Sequence, residues 1–275
     1  MNKPRPPKSS VTPSTQNHKL GELTEVLQGL ADKKKFSKID FFKPYAKQVN
    51  FFTEGNKYRE RLLMAGNQLG KSEAGAFETA CHLTGDYPKW WKGKRFNRPV
   101  KAWAAGETSL VTRNVSQAKL CGPPGVDNEF GSGFIPKDRF HDKPSLARGV
   151  TDAYDMIQVT HRTNGVIDGV STVEFKSYEQ GRKKFQGATL DFIWLDEEPD
   201  MEIYSEALTR VTATNGFVFM TFTPLLGMSD VVLRFLNEES DDRSVVTMTI
   251  DDAEHIPAAE REKIIAGYPA HEREA

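Results

Sequence analysis

The chain has 275 residues, 38% hydrophobic and 27% charged, with a formal net charge of -1. That is enough chain for one well-filled core with appendages, and no stretch approaches the ~20 uninterrupted apolar residues of a membrane span. The start, Met1 to Lys8, is basic but no apolar run follows it, so a secretion signal is excluded and the expected location is a cytoplasm. A charge so close to zero gives no overall attraction for nucleic acid, which would have to be held by a local patch. Cys81 and Cys121 have no partner at metal-ligand or CxxC spacing and are expected to be free thiols without chemistry.

Residues 1–19 are mostly Pro, Ser, Thr, Asn and Lys, too polar to offset the entropy of ordering, and are expected to form a disordered arm. Residues 20–40 carry Leu23, Val26, Leu27 and Leu30 at helical spacing and predict an N-terminal helix. Its basic end, Lys33, Lys34 and Lys35, suits the negative pole of a helix. Residues 41–250 alternate short apolar runs with helical stretches, the pattern of an α/β domain built on a mainly parallel sheet flanked by helices. The predicted strands are 61–65, 100–106, 192–196 and 217–223, apolar throughout, as strands covered on both faces are. Between them, 156–162 and 170–178 flank Thr163-Asn164-Gly165 and Asp168-Gly169, which predicts a β-hairpin insertion. Residues 251–275 read as a helix and linker.

The first strand runs into Ala65, Gly66, Asn67, Gln68, Leu69, Gly70, Lys71 and Ser72, one residue away from the G-x-x-x-x-G-K-[ST] phosphate loop, with Ala65 at the first glycine's place. Such a loop points backbone N–H groups at phosphate oxygens, and the helix that follows adds its positive pole. Lys71 is then expected at the β- and γ-phosphates of ATP and Ser72 on Mg²⁺. The strand 192–196 ends in Asp196 and Glu197: Asp196 to hold the metal from its other side, Glu197 as the catalytic group that polarises the attacking water. The strand 217–223 brings Thr221 and Thr223 to the same end of the sheet, where ligands of parallel sheets bind, and either could sense the γ-phosphate.

Together, Asn67-Gln68-Leu69-Gly70-Lys71-Ser72, Trp194-Leu195-Asp196-Glu197-Glu198 and Thr221-Phe222-Thr223-Pro224, in that order and spacing, resemble the large terminase subunit of tailed bacteriophages, the motor that packages DNA into a capsid. The resemblance covers residues 41–267 and implies a P-loop ATPase fold. It implies an adenine-recognition element in which Gln48 bonds the base and Tyr45 packs beside it. It also implies a coupling motif at Thr221 to Thr223 and a helicase-like segment, Gln186-Gly187-Ala188-Thr189, near the nucleotide. It implies a homo-oligomeric ring on a capsid portal, double-stranded DNA and a small terminase subunit as partners, and a host cytoplasm as the place of work. Two departures stand out. Relatives carry an arginine inside the loop where this chain has Asn67-Gln68-Leu69, so Arg182 is taken as the candidate replacement. Large terminases also continue into a nuclease domain, whereas 251–275 only leads toward one, and no nuclease activity is expected here. For DNA, Lys89 to Arg98 is the densest basic cluster and Arg182-Lys183-Lys184 the second. A helicase-like ATPase and a non-hydrolysing nucleotide-binding or docking fragment are the alternative readings.

Overall fold

The apolar runs become strands of one sheet in the structure, a computed structural model that describes residues 13–224, 229–254 and 256–267. In chain order the helices are α1 (Pro13–Phe36), α2 (Lys38–Phe41), α3 (Ala46–Glu54), α4 (Lys71–Thr84), α5 (Ser109–Thr112), α6 (Ala118–Cys121), α7 (Met201–Thr212), α8 (Asp230–Asn237) and α9 (Ala258–Gly267). The strands are β1 (Glu60–Ala65), β2 (Lys101–Gly106), β3 (Ser145–Leu146), β4 (Tyr154–Thr163), β5 (Val166–Ser177), β6 (Phe192–Asp196), β7 (Phe217–Phe222) and β8 (Arg243–Met248). They lie in the order β3-β4-β5-β2-β6-β7-β1-β8. From β5 to β8 every neighbour is parallel; β3 and β4 close one edge antiparallel.

Because side chains alternate along a strand, each central strand feeds two cores. Leu63, Ala104, Trp194 and Phe219 pack on the face covered by α3 and α4, with Phe51, Phe52 and Phe77. Leu62, Ala105, Leu195 and Met220 pack on the opposite face with Tyr204 and Ala207 of α7 and Val232 of α8. All four predicted strands are present within two residues of their expected ends.

The hairpin is present too, turned by Asn164 and Gly165, both at positive φ, as a type I′ turn requires. It is less an insertion than an extension, since β5 pairs in parallel with β2 and so joins the main sheet. Strand β8 is not among the predicted ones: as an edge strand its residues are mostly half-buried, so no apolar run marks it. Helix α1 begins at Pro13, so residues 13–19 of the expected arm are helical, while 1–12 lie outside the described residues. The predicted 20–40 helix breaks at Ser37, between α1 and α2. Leu20, Leu23, Val26, Leu27 and Leu30 on α1 remain more than half exposed, because an apolar stripe forecasts a helix without saying what will cover it.

Candidate functional site: a phosphate loop facing two carboxylates

β1 delivers the loop and α4 receives it. Gln68 and Gly70 turn the backbone into the left-handed region, φ 60° and 83°, and Gly70 caps α4. Gly70 is also constrained by space, since a Cβ there would lie 3.0 Å from the Gln48 amide nitrogen. Ala65 needs no glycine: it is the last residue of β1, extended and paired with Met248, so its methyl is simply buried core. Helix α4 can approach β6 because Gly75 has no side chain; a Cβ there would fall 2.4 Å from the Trp194 indole nitrogen.

β7 lies between β1 and β6 and ties the loop to the acidic strand end. The Ser72 hydroxyl donates to Asp196 Oδ1 at 2.9 Å, and the Thr221 hydroxyl donates to the same oxygen at 2.6 Å. Thr221 is itself fixed by the Trp194 indole N–H at 2.9 Å. Burial pushes the Asp196 carboxyl above its ordinary range, against the Thr221 and Ser72 hydroxyls, which favour the charged form. Glu197 is held at φ 64°, unusual for a residue with a side chain, with its N–H on the Thr221 carbonyl. Its carboxylate receives the Thr223 backbone N–H and hydroxyl, both at 2.9 Å, and lies 3.1 Å from the Lys71 ammonium. Glu198, next in the chain, is pushed up to about 7 by burial and by the Glu197 and Glu107 carboxylates. Lys71, Ser72, Asp196 and Glu197 are therefore one constellation. Thr221 and Thr223, expected at the γ-phosphate, are instead engaged with its two carboxylates.

A pocket of about 290 Å³ lined by Lys38, Phe42, Lys43, Tyr45, Gln48, Gly70 and Glu73 adjoins one of about 260 Å³ lined by Gln68, Gly70, Lys71, Ser72, Glu73 and Lys119. The two share Gly70 and Glu73, which suits a ligand with a base at one end and phosphates at the other. Gln48 is almost wholly buried; its amide donates to the Gly70 carbonyl and accepts from the Tyr45 N–H, both at 2.9 Å. One hydrogen and one lone pair of that amide are left over for a base. Sequence reasoning missed Glu73, which bonds Lys38 at 2.9 Å and Lys119 at 3.0 Å. No local pattern marks this group, because three separate helices supply it.

Arg182 does not join the constellation. Its guanidinium is bound to Glu206 of α7 at 3.0 Å, and it lines a separate pocket with Gln180, Lys183, Gln186 and Glu202. Gln186, at the head of the helicase-like segment, goes with it. The two basic clusters also part company. In the first, Trp91 and Phe96 are buried in the core, Trp90 stacks on Phe77, and Lys94 and Arg98 bond the Asn215 carbonyl and Asp191. Asp191 and Asn215 precede β6 and β7, so this cluster sits at the amino ends of the strands, away from the phosphate loop. Arg182, Lys183 and Lys184 are exposed and follow the carboxyl end of β5.

Ser72 and Asp196 are oxygen donors, as Mg²⁺ prefers. Among the described residues no three His, Cys, Asp or Glu side chains gather as a metal site. A divalent ion here would take its other ligands from phosphate and water, which is the habit of Mg²⁺.

Comparison with known proteins agrees with this geometry. Residues 62–275 match the family described as terminase large subunit, T4likevirus-type, N-terminal. The chain is 45% identical over 270 residues to the terminase large subunit of Salmonella phage P22, covering 92% of this chain and 53% of that protein. It is 30% identical over 266 residues to the one of Enterobacteria phage LP7, with 92% and 55% covered. It thus spans about half the length of these relatives. Among solved structures, the large terminase ATPase domain of Thermus phage P74-26 superposes with a TM-score of 0.56 at 18% identity, covering 86% of this chain and 93% of that one. The large terminase of another thermophilic bacteriophage, in complex with ADP, gives 0.52 at 14%, covering 82% and 50%. The fold is that of these ATPase domains, a P-loop NTPase sheet, and the chain belongs to the terminase large subunit family.

Proposed function

We propose that this chain hydrolyses MgATP and that hydrolysis drives double-stranded DNA into a phage capsid. The observation that carries the reading is the convergence of Lys71 and Ser72 with Asp196 and Glu197 at one end of the sheet. Backbone N–H groups of residues 66–72 would cradle the phosphates, and Lys71 would leave Glu197 for the β- and γ-phosphate oxygens. Glu197, freed from that ion pair but still held by Thr223, would polarise the water that attacks the γ-phosphate. Mg²⁺, held by Ser72 and Asp196, would supply charge neutralisation across the phosphates. Tyr45 and Gln48 would receive the adenine, a placement supported by the pocket they line and by the ADP complex of the second structural neighbour. Arg182 would have to leave Glu206 to serve the reaction, in this copy or across a boundary to a neighbouring one. A ring of such subunits on the capsid portal, supplied with DNA by a small terminase subunit, is the assembly this motor needs, working in the host cytoplasm.

The test is the steady-state ATPase rate of the chain beside its Glu197→Gln variant, with and without linear duplex DNA. Turnover that the variant loses, with nucleotide binding kept, is the expected result, and DNA should raise the rate. Equal rates in the two proteins reject the site.

A further inference from the structure

The residue that holds the backbone of Glu197 is not part of any motif. Tyr178 directly follows β5, in a short 3₁₀ turn, and its ring packs near the fully buried Phe185 with centroids 6.4 Å apart. Its hydroxyl reaches the far ends of β2 and β6, where three carbonyl oxygens converge on it: Glu197 at 2.9 Å, Asp196 at 3.2 Å and Ala105 at 3.4 Å. A phenol has one proton to give, and the shortest contact identifies the Glu197 carbonyl as its acceptor.

That carbonyl belongs to the residue at φ 64°. A left-handed conformation in a residue with a side chain persists only where the surroundings over-determine it. The Glu197 N–H is tied to the Thr221 carbonyl at 2.8 Å, so the Tyr178 hydroxyl completes the pinning of the residue on its other side. With both backbone groups fixed, the carboxylate is aimed at Thr223 and Lys71.

We propose that Tyr178 is a positioning residue for ATP hydrolysis, acting through the Glu197 backbone and not on the nucleotide. This rests on the reading of Glu197 as the group that polarises water. Tyr178→Phe keeps the ring and removes only the hydroxyl. Phe185→Leu loosens the same packing and keeps the hydroxyl, and so controls for a merely structural effect.

In the full chain, Tyr178→Phe should lower kcat about tenfold and leave KM for ATP within about twofold, while Phe185→Leu keeps kcat within about twofold. A kcat for Tyr178→Phe close to the parent's overturns the proposal, as does an equal loss in Phe185→Leu. Crystal structures of the parent and of Tyr178→Phe give a readout independent of turnover. Glu197 should leave the left-handed region in the variant and lose its Thr223 bonds. Unchanged Glu197 geometry overturns the proposal even if the parent proves inactive, an outcome that by itself would reject only the ATPase reading.

Discussion

At Lys71 one side chain is shared between two duties. Without nucleotide its ammonium rests on Glu197, 3.1 Å away, and phosphate oxygens would compete for the same charge. Lys71→Ala should therefore abolish nucleotide binding in a fluorescence titration with MgADP; retained affinity would remove Lys71 from the site. Thr223 has a narrower role, because its hydroxyl and N–H both go to Glu197. Thr223→Val keeps the N–H and loses one bond to a charged acceptor, worth ~1.5–3 kcal/mol. It should reduce kcat by about tenfold or more without weakening nucleotide binding, which a kcat and KM comparison reads directly. Gly75 is a packing requirement. A methyl 2.4 Å from the Trp194 indole must push α4 off β6, so Gly75→Ala should cost ~1–3 kcal/mol in urea unfolding.

At the scale of elements, β1 and α4 are joined by a charge cluster inside the core. Arg61, fully buried, pairs with Glu78 at 2.5 Å and sits against the rings of Phe51, Phe217 and Phe219. His82 faces Glu78 through Nε2 at 3.2 Å and Tyr87 through Nδ1 at 3.0 Å. The Phe96 N–H donates to the Tyr87 oxygen, so the phenol donates to Nδ1 and a neutral His82 donates from Nε2 to Glu78. Removing one member strands the other: Arg61→Leu should cost ~3–5 kcal/mol. Burial pushes the His82 pKa down, although Glu78 opposes it. The unfolded chain therefore takes up a proton as pH falls through about 6.5 while the folded one resists, and stability present above that pH is lost below it. Burial would raise the Glu78 pKa, but Arg61 and His82 outweigh it and hold the carboxyl low. Its contribution is present above the ordinary glutamate value and goes as pH falls through the depressed one, which adds to the acid loss. Thermal unfolding from about pH 8 to about pH 5 should show the midpoint falling with acid; a flat profile rejects the neutral His82.

Across the whole molecule the two basic clusters lie at opposite ends of the strands, and only one shares the end that carries the phosphate loop. DNA that stimulates hydrolysis should be felt at Lys183 and Lys184, which are exposed on the turn after β5. Replacing both with alanine should lower the DNA-stimulated rate, keep the basal rate, and flatten the salt dependence of DNA binding by ~0.9 for each phosphate no longer neutralised. Replacing Lys89 and Lys92, exposed at the far end, should leave the stimulated rate unchanged. The reverse pattern would move the DNA path to the amino ends of the strands.

Much of this was legible in the residues themselves, for a local reason. A buried parallel strand needs an unbroken apolar run, a phosphate loop needs glycine before Lys-Ser, and a type I′ turn needs Asn-Gly, so the central strands, the hairpin and the catalytic quartet are written in short segments. What the sequence left open depends on which segments become neighbours. The half-exposed edge strand β8, the bonds from Thr221 and Thr223 to the two carboxylates, the Glu73 pairing with Lys38 and Lys119, and the attachment of Arg182 to Glu206 all join residues distant in the chain. Spacing along a chain carries no information about such pairs; the strand order, with β7 set between β1 and β6, decides them.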